Sequence, residues 1–229
     1  MSLAGYRIII YSSELFVFVI GVIGAARYKV LATPLRYLVV YIFFETVNNV
    51  AVGWMAYHRQ NTVWTAHFFS VAELFLFLQM YRLWWHRKEK SILVWQLYGI
   101  YLLVWTAGIF TFEPITGPDT FSGAFSQVIQ IGCGSWLLLS IQEERRTSRK
   151  NDPRFWAVSG IVWYAASTFF MFGLFNEMLK LPREIMRKIW IFNDLFVIIE
   201  HLFFLRAFLC KRDMASEAVQ KTFVGTLLQ

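Results

Sequence analysis

Apolar positions dominate seven long stretches of this chain, and short polar segments separate them. Each stretch is close to the ~20 residues that an α-helix needs to cross the hydrocarbon core of a bilayer. The five prolines lie at or between the stretches, where proline begins or ends a helix without breaking it. The pattern predicts an all-α polytopic membrane protein, a seven-transmembrane-helix bundle over residues 1–210 with a short cytoplasmic tail at 211–229. The predicted spans are about 6–27, 34–57, 62–85, 91–113, 119–142, 154–176 and 185–210.

Five of the fifteen carboxylates lie in the interior of these apolar stretches. An ionisable group at bilayer depth is costly unless it is paired or hydrated, so such a group usually marks a site or an internal polar network. Near the middle of spans 1, 2, 3 and 5 the chain has Glu14, Glu45, Glu73 and Gln130. Around the middle of span 7 it has Asn193, Asp194, Glu200 and His201. So many polar groups at one depth predict a shared site.

Helical spacing places these polar residues on common faces. The sets that recur every three, four or seven residues are Glu45, Asn48 and Asn49; His67, Ser70 and Glu73; Gln127 and Gln130; Asn193 and Glu200; and Asp194 and His201. Exposure of such stripes to lipid would be prohibitive, so they are expected to face the bundle interior. We predict one polar cavity lined by spans 1, 2, 3, 5 and 7, with spans 4 and 6 facing lipid or a partner.

A structural explanation competes with the functional one. Asn, Gln and Ser between membrane helices often form interhelical hydrogen bonds worth about 0.6 kcal/mol on average. This explanation suits the amides of Asn48, Asn49, Gln127 and Gln130. It suits Glu45 and Glu73 less well, because a carboxylate costs more to desolvate than such a bond returns. A single core histidine such as His67 is more often structural. For the Glu200-His201 pair both explanations stay open.

Composition and charge agree with a membrane protein and set its predicted orientation. The chain is 57% hydrophobic and 16% charged, with 23 Phe, 10 Trp and 10 Tyr. Fifteen Lys and Arg fall on one side of the predicted bundle and six on the other, which places the N-terminus outside and the C-terminus in the cytoplasm. Topology and anionic lipid account for the basic pI, so no nucleic-acid partner is predicted. The expected location is the bacterial cytoplasmic (inner) membrane, with multiple passes through the bilayer.

The sequence favours no particular enzyme chemistry. It has four histidines and no HExxH spacing, so a metal site is undetermined. No nucleophile-elbow motif or phosphate-binding Gly-rich loop is present, and Gly132-Cys133-Gly134-Ser135 is typical of helix packing. A retinal-binding opsin is rejected because residues 189–205 contain no lysine. No catalytic residue is therefore predicted, and any cofactor is undetermined.

Three segments of the first ninety residues carry a resemblance. They are ELFVFVIGV, FFETVNN and NTVWTAHFFSVAELFLFLQMYR, of which Phe69–Phe75 is the most specific part. They resemble a group of small uncharacterised bacterial seven-helix membrane proteins, and the arrangement is similar to the seven-helix sensor regions of bacterial kinases. The group has no assigned activity, so the resemblance implies the topology and the importance of Glu73, and no reaction.

The polar set leaves three functions open. We favour a receptor-like sensory or ligand-binding module that holds a small polar, amphipathic or lipid ligand and signals to a protein partner at its basic cytoplasmic loops. A proton-coupled transporter or channel would use the same carboxylates as a relay. An accessory subunit of a larger membrane complex would use the polar residues only as structure.

Overall fold

The computed structural model describes residues 3–85, 88–143 and 151–210, which form helices and contain no strand. The eight helices are α1 (Leu3–Ala26), α2 (Thr33–Tyr57), α3 (Trp64–Trp84), α4 (Lys88–Thr111), α5 (Phe121–Glu143), α6 (Pro153–Gly173), α7 (Phe175–Met178) and α8 (Arg183–Leu209). Each predicted span contains one long helix, and the short α7 follows α6. The predicted cytoplasmic tail at 211–229 and the basic segment at 145–150 lie outside the described residues.

Five of these helices are long and apolar enough to cross a membrane, namely α1, α2, α4, α5 and α6. They indicate an integral membrane protein. The charged residues of α3, which include Glu73 and Arg82, and those of α8, which include Asp194 and Glu200, lower the mean hydropathy of these two helices. Crossing of the bilayer by α3 and α8, and therefore the seven-span count and the orientation, stay predictions.

Prolines set several helix starts, as their positions in the sequence predict. Pro34 and Pro153 lie in the first turns of α2 and α6, where the missing N–H would have no helical partner. The Asp152 carboxylate caps α6 by accepting from the Arg154 backbone N–H at 2.8 Å, and it also pairs with the Arg154 guanidinium. Pro182 precedes α8 with an extended backbone, which ends the connection from α7.

Helix contacts follow a closed circuit in which α1 packs on α2, α2 on α3, α3 on α5, α5 on α6, α6 on α8, and α8 on α1. α4 packs against α3 and α5 and has the lowest buried share of the five candidate spans. This position agrees with the prediction that span 4 faces lipid or a partner. The prediction for span 6 was wrong in part, because α6 packs between α5 and α8 as a full member of the circuit.

Apolar side chains cover much of the outer surface of the bundle, as expected for contact with lipid. Phe110 is 83% exposed, and Leu103, Val50 and Phe170 are also strongly exposed. Leu38, Leu78 and other apolar side chains fill the core, and many buried polar side chains accompany them. A folded chain with apolar residues outside and carboxyls inside suits a bilayer better than water.

A close contact between α5 and α6 depends on a glycine. A Cβ added at Gly134 would clash with Val162 of α6 and approach the Tyr81 hydroxyl to 3.1 Å, whereas a Cβ at Gly132 would meet no atom within 4 Å. We expect Gly134→Ala to lower the free energy of unfolding by about 1–3 kcal/mol. Gly132→Ala is the matched control, and it should be neutral or slightly stabilising because alanine favours helix. Denaturant titration in detergent micelles, followed by tryptophan fluorescence, measures both; equal effects would contradict the packing explanation.

Candidate functional site

Buried polar residues from four helices meet between α2, α3, α5 and α8. We call Glu45, Glu73, Gln130, Glu200 and His201 the central cluster, and all five side chains are buried. Each of the three carboxyls interacts electrostatically with the other two. The approach of Glu73 to Glu45 follows from their places on the neighbouring helices α2 and α3.

The closest pair in the central cluster joins α2 to α8. His201 Nε2 lies 3.2 Å from Glu45 Oε2, although the two groups are not aligned as a hydrogen bond. His201 Nδ1 lies 2.9 Å from the Val197 carbonyl oxygen, which can only accept, so Nδ1 carries a hydrogen. Two buried polar atoms therefore lie 3.2 Å apart without a hydrogen bond between them.

Glu73 contacts the other side of the central cluster. The Tyr41 hydroxyl donates to Glu73 Oε1 at 3.4 Å, a long hydrogen bond. The Gln130 amide interacts with the same carboxyl, but neither of its polar atoms reaches hydrogen-bond geometry. Glu73 is thus held loosely by neutral groups, and no described cation faces it.

Many polar atoms of this region have no hydrogen-bond partner within the described protein. They include Glu45 Oε2, Gln127 Oε1, both polar atoms of Gln130, Glu200 Oε1, His201 Nε2 and the Tyr81 hydroxyl. Native interiors leave few such atoms, so a concentration of them calls for an explanation such as a bound proton, ion or water. Three buried carboxyls that interact with one another would also leave net negative charge in a low dielectric unless protons or a cation neutralise it.

A second polar group lies where the α4–α5 loop, residues 112–120, meets α3. We call His67, Ser70, Glu113, Asp119 and Ser122 the loop cluster, and all five residues are buried. Ser70 Oγ donates to Asp119 Oδ2 at 2.6 Å, and the Tyr101 hydroxyl of α4 donates to Ser70 Oγ at 3.1 Å. The His67 ring donates from Nε2 to the Gly117 carbonyl at 2.9 Å and places Nδ1 3.9 Å from Asp119 Oδ1.

The Glu113 carboxylate caps the N-terminal end of helix α5. Its Oε1 accepts from the backbone N–H groups of Thr120 and Phe121 and from the Thr120 hydroxyl, and its Oε2 accepts from the Ser122 N–H and hydroxyl. These are N–H groups that a helix start leaves unpaired, and a negative charge is favourable there. Burial alone would raise the pKa of Glu113, but the hydrogen bonds from Ser122 and Thr120 outweigh it and lower that pKa.

Asp119 shows the opposite behaviour within the same cluster. Burial raises the pKa of its carboxyl, in spite of the hydrogen bonds from Ser122 and Ser70 and the nearby His67 ring, and the charge of Glu113 adds to the rise. Two neighbouring carboxyls with pKa values pushed apart are suited to different protonation states.

The predicted site residues therefore fall into separate groups. The central cluster contains Glu45, Glu73, Gln130, Glu200 and His201, whereas His67 belongs to the loop cluster. Glu14 of α1 and Asp194 of α8 form a third, half-buried group in which the two carboxyls interact electrostatically. Asn48, Asn49 and Asn193 are half-buried, and among the described residues none of them hydrogen-bonds to the central cluster.

Sequence reasoning missed Glu113, Asp119, Ser122 and Tyr101. The predicted span boundaries at 113 and 119 placed both carboxylates at the ends of apolar stretches, outside the set of mid-depth polar residues. A usable signal was present, because Asp119-Thr120 precedes an apolar run and resembles a helix N-cap. Tyr101 could not be identified, since α4 gives no polar stripe that points to it.

The predicted polar cavity stays a prediction, and the described residues show no metal site. A surface depression of about 310 Å³ lies between α5 and α6, lined mainly by Leu138, Leu139, Ile141 and Phe155, away from the central cluster. Across 3–85, 88–143 and 151–210, no three His, Cys, Asp or Glu side chains are arranged to hold a metal ion. The two described cysteines, Cys133 and Cys210, are buried and not bonded to each other.

The resemblance to small bacterial seven-helix proteins rests on the three quoted segments and stays a prediction. Comparison with protein-family models, with curated proteins and with solved structures finds no significant match.

Proposed function

We propose that this chain is a membrane-embedded sensory module whose central cluster binds protons, with the protonation state as the signal. One observation carries the proposal: Glu45, Glu73 and Glu200 lie buried within electrostatic reach of one another, and several polar atoms of the cluster have no hydrogen-bond partner among the described residues. Interhelical hydrogen bonds alone would not require three carboxyls. A proton also needs no preformed cavity in order to bind.

The signal can reach the surface through the helices that hold the cluster. Glu45 and His201 join α2 to α8, while Glu73 belongs to α3. A change of charge in the central cluster would strengthen or weaken the α2–α8 contact and so alter how the helices pack. We place the receiving partner at the basic loops on the cytoplasmic side, in a bacterial inner membrane with the N-terminus outside.

Proton-coupled transport is the second candidate. It is supported by carboxyls in three groups, Glu14 with Asp194, the central cluster, and Asp119 with Glu113, and by the electrostatic interaction of Asp119 with Glu73. Such a series could act as a relay. An accessory-subunit function remains the third candidate, supported by the large apolar surface.

Proton flux separates the first two functions. The protein is reconstituted into liposomes that contain a pH-sensitive dye, and a pH gradient is imposed. For a sensory module we expect the dye to respond no faster than in protein-free liposomes. A sustained flux that Glu73→Gln abolishes and Glu177→Gln preserves would assign transport instead. Extraction of the purified protein tests the ligand class, because a stoichiometric bound molecule would replace the proton as the ligand.

A further inference from the structure

The oxygens of the loop cluster require one more proton than its serine hydroxyls supply. Three short contacts run in series: Ser70 Oγ to Asp119 Oδ2 at 2.6 Å, Asp119 Oδ1 to Ser122 Oγ at 2.5 Å, and Ser122 Oγ to Glu113 Oε2 at 2.6 Å. Oxygens this close need a hydrogen between them. Ser70 and Ser122 provide two hydrogens for three contacts, and the Tyr101 hydrogen points to Ser70 Oγ from outside the series.

Asp119 is the carboxyl that fits the additional proton. Glu113 already accepts from three backbone N–H groups and two hydroxyls, an arrangement that favours its ionised form. Asp119 accepts no backbone N–H among the described residues and contacts two serine hydroxyls. With the proton on Asp119 Oδ1, Asp119 donates to Ser122, and Ser122 donates to Glu113.

His67 places a further buried polar atom beside Asp119. The side chain is fully buried, and its Nδ1 has no hydrogen-bond partner although it lies 3.9 Å from Asp119 Oδ1. Because Nε2 donates to Gly117, Nδ1 is either a free lone pair or a second protonated nitrogen. When Asp119 is protonated, Nδ1 is the lone-pair acceptor that lies beside the acid.

We propose that the loop cluster is a second proton-binding site, in which Asp119 holds a proton shared with Ser122 and Glu113 and faced by the acceptor nitrogen of His67. Loss of the proton breaks the Asp119–Ser122 hydrogen bond and leaves two carboxylates on one serine hydroxyl. The α4–α5 loop would then separate from α3 and α5. The bound proton therefore stabilises the packing of this loop against the two helices.

The groups that face Asp119 set its response. They are His67 and Glu73 from α3, Tyr101 from α4 and Glu113 from the loop, while α5 contributes the uncharged Ser122. The inference is independent of the function proposed for the central cluster, because it stands on different residues and its test detects Asp119 alone.

Carbon-13 labelling of the aspartate carboxyls tests the proposal in the full-length protein in lipid. The chain has four aspartates, so each signal can be assigned by substitution. At about pH 6, two units above the ordinary aspartate pKa of about 3.9, we expect the signal that Asp119→Asn removes to lie at the position of a protonated acid. It should move to the ionised position only at higher pH. The matched control is Asp152→Asn, which should remove an ionised signal because Asp152 pairs with Arg154.

Ser70→Ala supplies a second assignment if Asp119→Asn does not fold. It removes the hydroxyl that contacts Asp119 Oδ2 and should shift the Asp119 signal while leaving the Asp152 signal in place. An Asp119 signal at the ionised position at about pH 6 would overturn the proposal, whatever the state of the central cluster.

Discussion

Replacing Glu113 with Gln should lower the free energy of unfolding by about 3 kcal/mol. The Glu113 carboxylate accepts from the Thr120, Phe121 and Ser122 N–H groups, and it is buried. A hydrogen bond to a charged group contributes about 1.5–3 kcal/mol, and a buried donor without a partner costs a similar amount. Gln keeps one oxygen but turns an NH₂ group toward donors. Denaturant titration in detergent micelles, followed by tryptophan fluorescence, measures the change.

Glu143 provides the control for that experiment. It ends the same helix α5, is exposed, and is expected to tolerate Glu143→Gln with a change of less than about 0.5 kcal/mol. If Glu113→Gln were as mild as Glu143→Gln, the carboxylate would not be the cap of α5.

The two carboxyls of the loop cluster make the free energy of unfolding depend on pH in opposite directions. The lowered pKa of Glu113 means that its stabilisation is complete above the ordinary glutamate pKa of about 4.3 and is lost as the pH falls through the folded value. The raised pKa of Asp119 means that its stabilisation is complete below the ordinary aspartate pKa of about 3.9 and is lost as the pH rises through the folded value.

Glu73→Gln should weaken the response of the protein to pH and leave only the part that the loop cluster contributes, while the free energy of unfolding changes by less than about 1 kcal/mol. Gln preserves the size of the side chain and an oxygen that can accept the long bond from Tyr41, so little packing or hydrogen bonding is lost. It removes a proton-binding group that interacts with Glu45 and Glu200. The response is the change in tryptophan fluorescence between acidic and alkaline buffer.

Glu177→Gln is the matched control for Glu73→Gln. The Glu177 side chain is exposed and pairs with Lys180 at 2.6 Å, so its replacement makes the same chemical change outside the cluster. If the pH response is as strong in Glu73→Gln as it is in Glu177→Gln, Glu73 is an interhelical contact and the sensory proposal is wrong.

Much of the fold could be predicted from the sequence because helix length, apolar character and proline position are local properties. Each predicted span contains a helix, and Pro34 and Pro153 start α2 and α6 as expected. The α6–α7 break at Leu174 was not predicted, since no proline or polar run marks it. The closed circuit of helices, and the place of α6 within it, depend on contacts between distant segments.

The site was predicted less completely, for a physical reason. Helical spacing places Glu45, Glu73, Glu200 and His201 on interior faces, but it does not say which face meets which. Depth along a helix also groups His67 with Glu73, although the His67 ring turns toward the loop at Gly117. Side chains brought together by a loop, as Glu113 and Asp119 are, leave no periodic pattern in the sequence.

The infrared spectrum of the purified protein in lipid bilayers near neutral pH tests the central claim most directly, because protonated and ionised carboxyls absorb at different frequencies. We predict a protonated-carboxyl band that is weaker in Glu73→Gln and unchanged in Glu177→Gln. That result would mean that the central cluster holds protons that depend on Glu73. A wild-type spectrum without this band, or a band of equal strength in Glu73→Gln, would contradict the claim.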